Sequence, residues 1–148
     1  MKILFVCDGN ICRSPVAAAF LNSNLENGNV QVRSAGIYAT NNRPILETMR
    51  QVLVSHNLPT DHRSQRISPE SLGWADLIFT MTRPQKFILI SMVPAIANKV
   101  YTLQEYIGHP VQDIPVPRNE TLEAYQDCAE MLQHSCSTLY RELCRQKL

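Results

Sequence analysis

The chain opens with a continuous apolar run, Ile3 to Val6, which meets Cys7 and gives way at once to the turn-forming residues Gly9 and Asn10. A strand buried on both faces reads this way, and such strands belong to parallel sheets. From Pro15 the pattern turns helical, since proline suits the start of a helix and Val16 to Leu21 are mostly good or neutral helix formers. A buried strand, a tight turn and a helix in immediate succession form the first half of a βαβ unit.

The rest of the chain repeats that alternation. Val30 to Arg33 reads as a second strand before the small-residue turn Ser34, Ala35, Gly36. The spacing of Ile45, Met49, Val52, Leu53 and His56 predicts a helix over Pro44 to His56, opened by its proline. Leu77 to Met81 and Val100 to Leu103 are strand-like, with a helical segment from Pro84 to Met92 between them. The positions Leu122, Tyr125, Ala129, Leu132, Cys136, Leu139 and Leu143 alternate spacings of three and four, as one long helix with a buried stripe requires. Strands alternating with helices imply right-handed crossovers, a parallel sheet and helices on both of its faces. Without repeats, charge runs or an interdomain linker, residues 1–148 are expected to form one α/β domain.

Composition narrows the function. With 14 Lys+Arg against 13 Asp+Glu there is no broad basic face for nucleic acid or an anionic membrane, so any anion site must be local. The opening apolar run is too short for a secretory or membrane-spanning segment, which points to the cytoplasm. The five cysteines are then expected to be reduced, and none has the paired spacing of a zinc site, so no metal and no cofactor is expected. Cys128, Cys136 and Cys144 fall on the closing helix as buried or boundary thiols.

In sheets of this kind ligands bind at the carboxyl ends of the strands, where Cys7-Asp8-Gly9-Asn10-Ile11-Cys12-Arg13-Ser14-Pro15 lies. Gly9 and Asn10 tolerate the positive φ that lets a backbone curl. Curled amides and a helix N-terminus together make a nest of N–H donors that takes an anion such as inorganic phosphate or sulfate. The same donors favour the thiolate form of a cysteine held at their centre, here Cys7. Arg13 brings a planar fork that grips two oxygens of a tetrahedral anion, and Ser14 can donate a hydrogen bond to the Cys7 sulfur. Asp8 is out of keeping with an anion site and is expected to face outward into solvent. Cys12 is close enough in sequence to Cys7 to form a reversible disulfide that protects it.

This loop resembles the phosphate-binding loop of the low-molecular-weight protein tyrosine phosphatases. The likeness continues through Val32 to Gly36, His62 to Ser68, Ala75 to Ile78 with Met81, and Lys99 to Leu103, so it spans nearly the whole chain in order. The resemblance implies a flavodoxin-like, three-layer fold with a four-stranded parallel sheet. It also implies hydrolysis of phosphotyrosine, in a phosphorylated protein or a small aryl phosphate, through a phosphocysteine. Carried onto matching positions, Cys7 is the nucleophile, Arg13 the clamp, and Asp8, Gly9, Asn10, Ile11, Cys12, Arg13 and Ser14 the phosphate-binding loop. Asn10, Ser14, Ser34 and His62 hold that loop in shape by the same likeness.

One departure stands out. The family places a general acid, the Asp of an Asp-Pro pair followed by an aromatic residue, before the last helix. Here the stretch is Asp113-Ile114-Pro115-Val116-Pro117-Arg118, so Val116 stands at the acid position and Arg118 at the aromatic one. Valine transfers no proton, and losing a general acid costs about 10²–10⁴-fold. Either Asp113 substitutes as the catalytic acid, or turnover is limited to leaving groups that need no proton. A non-catalytic anion-binding protein of the same fold is the rival reading. An arsenate reductase would need further cysteines after Met81, and Thr82 to Ser91 has none. Tyr38, Arg43 and Arg118 are candidates for the substrate rim, His109 is expected to be solvated within reach of the mouth of the site, and His56 reads as a core histidine.

Overall fold

A computed structural model describes residues 1–26 and 28–146. The four strands are β1 (Lys2–Cys7), β2 (Gln31–Gly36), β3 (Leu77–Thr80) and β4 (Val100–Thr102), all parallel in the order β2-β1-β3-β4. The helices are α1 (Arg13–Asn24), α2 (Glu47–Ser55), α3 (Pro69–Trp74), α4 (Arg83–Met92), α5 (Leu103–Tyr106) and α6 (Leu122–Arg145), with a 3₁₀ helix over Pro94–Lys99.

The apolar run of β1 is the axis of two cores. Because side chains alternate along a strand, Ile3, Phe5 and Cys7 face a core shared with α1, α2, α5 and α6, whereas Leu4 and Val6 face one shared with α3, α4 and the 3₁₀ helix. Every one of these residues is at most 2 % exposed. This is the three-layer α/β arrangement that the alternating pattern predicts. The stripe on α6 is buried as spaced, from Tyr125 to Leu143.

Several boundaries differ from the sequence reading, each for a local reason. The second helix begins at Glu47, not Pro44, because Pro44 is drawn into an antiparallel bridge with Arg63 and Leu46 N–H is held by the Ile11 carbonyl at 3.0 Å. Ser34, Ala35 and Gly36 continue β2 in register with Phe5, Val6 and Cys7 instead of turning away. Helix α1 starts at Arg13, two positions before its proline. Leu103 opens α5, since Thr102 caps that helix with Glu105 in a reciprocal box. The short α3 is set by an equivalent box between Ser68 and Ser71, and α4 by one between Thr82 and Gln85.

Candidate active site

The turn after β1 curls where sequence places it, but one residue carries the strain. Asn10 adopts φ 56°, while Gly9 takes no positive φ. The completely buried Asn10 has every polar group of its side chain satisfied. Its Nδ2 donates to Ser14 Oγ at 2.8 Å and to Ser34 Oγ at 2.9 Å, and its Oδ1 accepts from the Gln65 backbone N–H at 2.8 Å. His62 Nε2 donates to the Asn10 carbonyl at 2.6 Å. Burial lowers the His62 pKa, partly offset by that carbonyl and by Asp61, which keeps the ring in the neutral form that has one donor to give.

The glycine that matters to the loop is Gly36, at the end of β2. A Cβ there would lie 2.7 Å from the Asp8 carbonyl oxygen and 2.9 Å from both the Asn10 nitrogen and the Ala39 Cβ. Two of those neighbours are loop backbone, so position 36 has to lack a side chain for the loop to settle against the sheet. Its N–H and carbonyl are bonded to Gln65 and Ile67, which brings the segment carrying His62 alongside.

Cys7 Sγ, 2 % exposed as a residue, lies 2.9 Å from Ser14 Oγ. Ser14 Oγ accepts from Asn10, and its own hydrogen has two acceptors in reach, the Cys7 sulfur at 2.9 Å and the Ala35 carbonyl at 3.4 Å. Helices α3 to α6 are each capped by a Ser or Thr side chain, but Cys12 at the N-cap of α1 makes no such bond. The first-turn N–H groups of α1 therefore face the turn without a side-chain partner, and their partial positive charge adds to that of the curled amides.

Arg13, the first residue of α1, is 5 % exposed. Its Nη1 donates to the Ile114 carbonyl at 2.9 Å, and its Nη2 lies 3.4 Å from Asp8 Oδ2. Ile114 N–H in turn donates to the Met81 carbonyl at 2.9 Å, so the loop before α6 is seated on the end of β3. Asp113 reaches neither Cys7 nor Arg13 by any hydrogen bond. Its Oδ1 accepts from the Arg83 backbone N–H at 2.9 Å and pairs with Arg83 Nε at 3.2 Å, which ties it to the start of α4. Val116 is exposed.

Asp8 is exposed, as expected of it, but it is not free. Although 56 % exposed, its carboxylate is held from two sides, by Arg13 and by Gln85 Nε2 at 3.1 Å. Cys12 is buried against Cys128 on α6, and that sulfur, with burial, pushes its thiol pKa well up. All five cysteines are free. Of the residues expected at or near the rim, Tyr38 is exposed next to the loop, with its N–H on the Asp8 carbonyl at 2.9 Å; Arg43, His109 and Arg118 are exposed and make no side-chain bond to the loop. The His56 ring packs edge-on against Phe20. Among the described residues no cluster of three His, Cys, Asp or Glu side chains could hold a metal ion.

A doubly wound sheet carrying a cysteine, an arginine and a nest of amides at the turn after its first strand defines a phosphoryl-binding enzyme. Residues 2–148 match the low molecular weight phosphotyrosine protein phosphatase family, and the chain belongs to that family. It is a phosphatase. It is 34% identical over 145 residues to a protein-arginine-phosphatase of Bacillus subtilis, covering 97% of each chain. It is 35% identical over 126 residues to the low molecular weight protein-tyrosine-phosphatase PtpB of Staphylococcus epidermidis, covering 85% of this chain and 87% of the relative. The solved YwlE arginine phosphatase of Geobacillus stearothermophilus superposes with a TM-score of 0.93 at 31% identity, over 99% of this chain and 94% of that one. The four-stranded parallel sheet expected from the resemblance is thus the fold of the family.

The residues that sequence reasoning missed are Gly36, Gln65 and Gln85. Gln85 left a local signal, as the third residue after a capping threonine, while Gly36 and Gln65 lay within stretches of the family likeness that did not show their role. Gly36 and Gln65 act through backbone proximity to a segment distant in sequence, which no local pattern reveals.

Proposed function

We propose that the chain hydrolyses phosphate monoesters of phosphorylated protein side chains, with phosphotyrosine and small aryl phosphates as the leading substrates, through a phosphocysteine on Cys7. The observation that carries this reading is the Ser14 hydroxyl 2.9 Å from Cys7 Sγ within a loop braced by Asn10. A thiolate is stabilised there by a charge-assisted hydrogen bond, and again when it leaves phosphorus. The thiolate attacks in line, and the amides of residues 8 to 14 with the Arg13 guanidinium stabilise the charge on the equatorial oxygens. Because Nη1 is fixed on Ile114, the guanidinium turns its remaining edge to the phosphoryl group. Ser34 and His62 support this through Asn10 and touch no substrate. Exposed Tyr38 beside the loop supplies the aromatic surface that Arg118 does not.

Phosphoarginine is the second reading, favoured by the names of the Bacillus and Geobacillus relatives. The free cysteines suit a reducing, cytoplasmic setting, and among the described residues no helix is long and apolar enough to cross a membrane. The test is turnover of p-nitrophenyl phosphate, a phosphotyrosine peptide and a phosphoarginine peptide by the wild type and by Cys7→Ser. Loss of all turnover in Cys7→Ser with orthophosphate still bound is the expected result; wild-type rates in that variant would refute the nucleophile. No turnover of any substrate by the wild type, with orthophosphate bound, would leave an anion-binding protein.

A further inference from the structure

The nucleophile and the clamp leave one need unmet, a proton for the departing oxygen. Val116 has none to give, and Asp113, tied to the start of α4, makes no bond to Cys7 or Arg13. One carboxyl does touch the machinery, and it follows Cys7 directly. Asp8 Oδ2 lies 3.4 Å from Arg13 Nη2, while Oδ1 accepts from Gln85 Nε2 at 3.1 Å.

Gln85 gives this contact its direction. The residue is 3 % exposed, and its Oε1 accepts from the backbone N–H groups of Met81 at 2.9 Å and Thr82 at 3.0 Å. With its oxygen fixed by two main-chain donors, the amide has one orientation, and its nitrogen points at Asp8. The two carboxyl oxygens are thereby made unequal. Oδ1 is filled by a donor that cannot accept a proton. Oδ2 stands beside the guanidinium that grips the phosphoryl group, at a side chain 56 % exposed and so open to water.

We propose that Asp8 is the general acid and base of this phosphatase, exchanging its proton at Oδ2. The proposal rests on the reading of Cys7 as nucleophile. A phosphoryl group in the loop takes up the Arg13 donor that Asp8 holds, and Oδ2 then faces phosphoryl oxygens. A phosphate monoester monoanion carries a proton of its own into the loop, and that proton passes from a phosphoryl oxygen to Oδ2. In the first step the bond from Cys7 Sγ to phosphorus forms as the bond from phosphorus to the leaving oxygen breaks. The Oδ2 proton passes to that oxygen, leaving Asp8 ionised. In the second step water attacks phosphorus and gives a proton to Oδ2, while the sulfur–phosphorus bond breaks and returns its electron pair to Cys7. Gln85 is a positioning residue, since it acts only through Asp8.

The test compares kcat/KM on phenyl phosphate, whose leaving group needs a proton, with that on 2,4-dinitrophenyl phosphate, whose leaving group does not. Asp8→Asn is expected to lose about 10²–10⁴-fold on the first and less than about tenfold on the second, with orthophosphate binding retained. Adding Val116→Asp to Asp8→Asn is expected to recover the phenyl phosphate rate, while Asp113→Asn keeps the wild-type ratio of the two substrates. Equal losses on both substrates in Asp8→Asn would overturn the proposal, because a merely structural role lowers both alike. So would a loss confined to phenyl phosphate in Asp113→Asn. A Cys7→Ser variant that hydrolyses the dinitrophenyl ester at the wild-type rate refutes the nucleophile instead, whatever Asp8 does.

Discussion

Arg13 Nη1 donates to the carbonyl oxygen of Ile114 at 2.9 Å, joining the first turn of the chain to the loop before its last helix. The bond is to main chain, so the orientation of the guanidinium depends on how firmly Ile114 is seated. Its side chain is completely buried. Ile114→Ala is expected to cost about 2–5 kcal/mol of stability and to weaken orthophosphate binding by letting the carbonyl drift. Denaturant unfolding and competitive inhibition by orthophosphate read the two effects separately. An unchanged inhibition constant beside a lowered midpoint would show that the clamp is oriented without Ile114.

Ser14 serves two masters through one oxygen, accepting from Asn10 and facing the Cys7 sulfur. A hydrogen bond to a charged group contributes about 1.5–3 kcal/mol, which corresponds to roughly 10–150-fold in rate. Ser14→Ala should therefore lower kcat by about that factor with little change in KM, measured on p-nitrophenyl phosphate. A drop confined to KM would place the hydroxyl on substrate binding instead.

His62 makes the loop sensitive to acid. Burial holds its pKa below the ordinary value, so the unfolded chain binds its proton first as the pH falls. The contribution of His62 to stability is then complete above about pH 6.5 and is lost as the pH drops through the lower, folded value. Melting temperatures of the wild type should fall between pH 7 and pH 5 more steeply than those of His62→Asn, which cannot titrate. Parallel curves would contradict the assignment.

Gly36→Ala tests the close approach between β2 and the loop. With backbone atoms at 2.7 and 2.9 Å from the new Cβ, the loop has to shift, and both stability and orthophosphate affinity should fall. Gly73→Ala is the control, since a Cβ there meets nothing within 4 Å. Equal behaviour of the two variants would mean that the loop yields without loss.

The fold was legible because its signals are local. A buried run in β1 and the long stripe of α6 each announce an element from within their own span, and their alternation with other such segments sets the topology. Pro44 misled because its pairing partner, Arg63, lies in a segment without periodicity. At the site, Cys7, Asn10, Arg13 and Ser14 could be read from one turn, since the chemistry of an anion nest is written in consecutive residues. Asp8 could not. Its neighbour Gln85 comes from the far side of β3, and only the folded chain shows that a carboxylate unsuited to an anion site is held there from both sides.

The lattice of bonds around Arg13 also bears on the order in which the protein becomes competent as it is made. Arg13 is made 101 residues before Ile114, on which it is anchored, and Cys12 well before Cys128, against which it packs. A chain emerging from the ribosome therefore carries its nucleophile long before it carries the parts that aim it. The clamp is aimed only once the segment before α6 has been made and has folded back onto the end of β3.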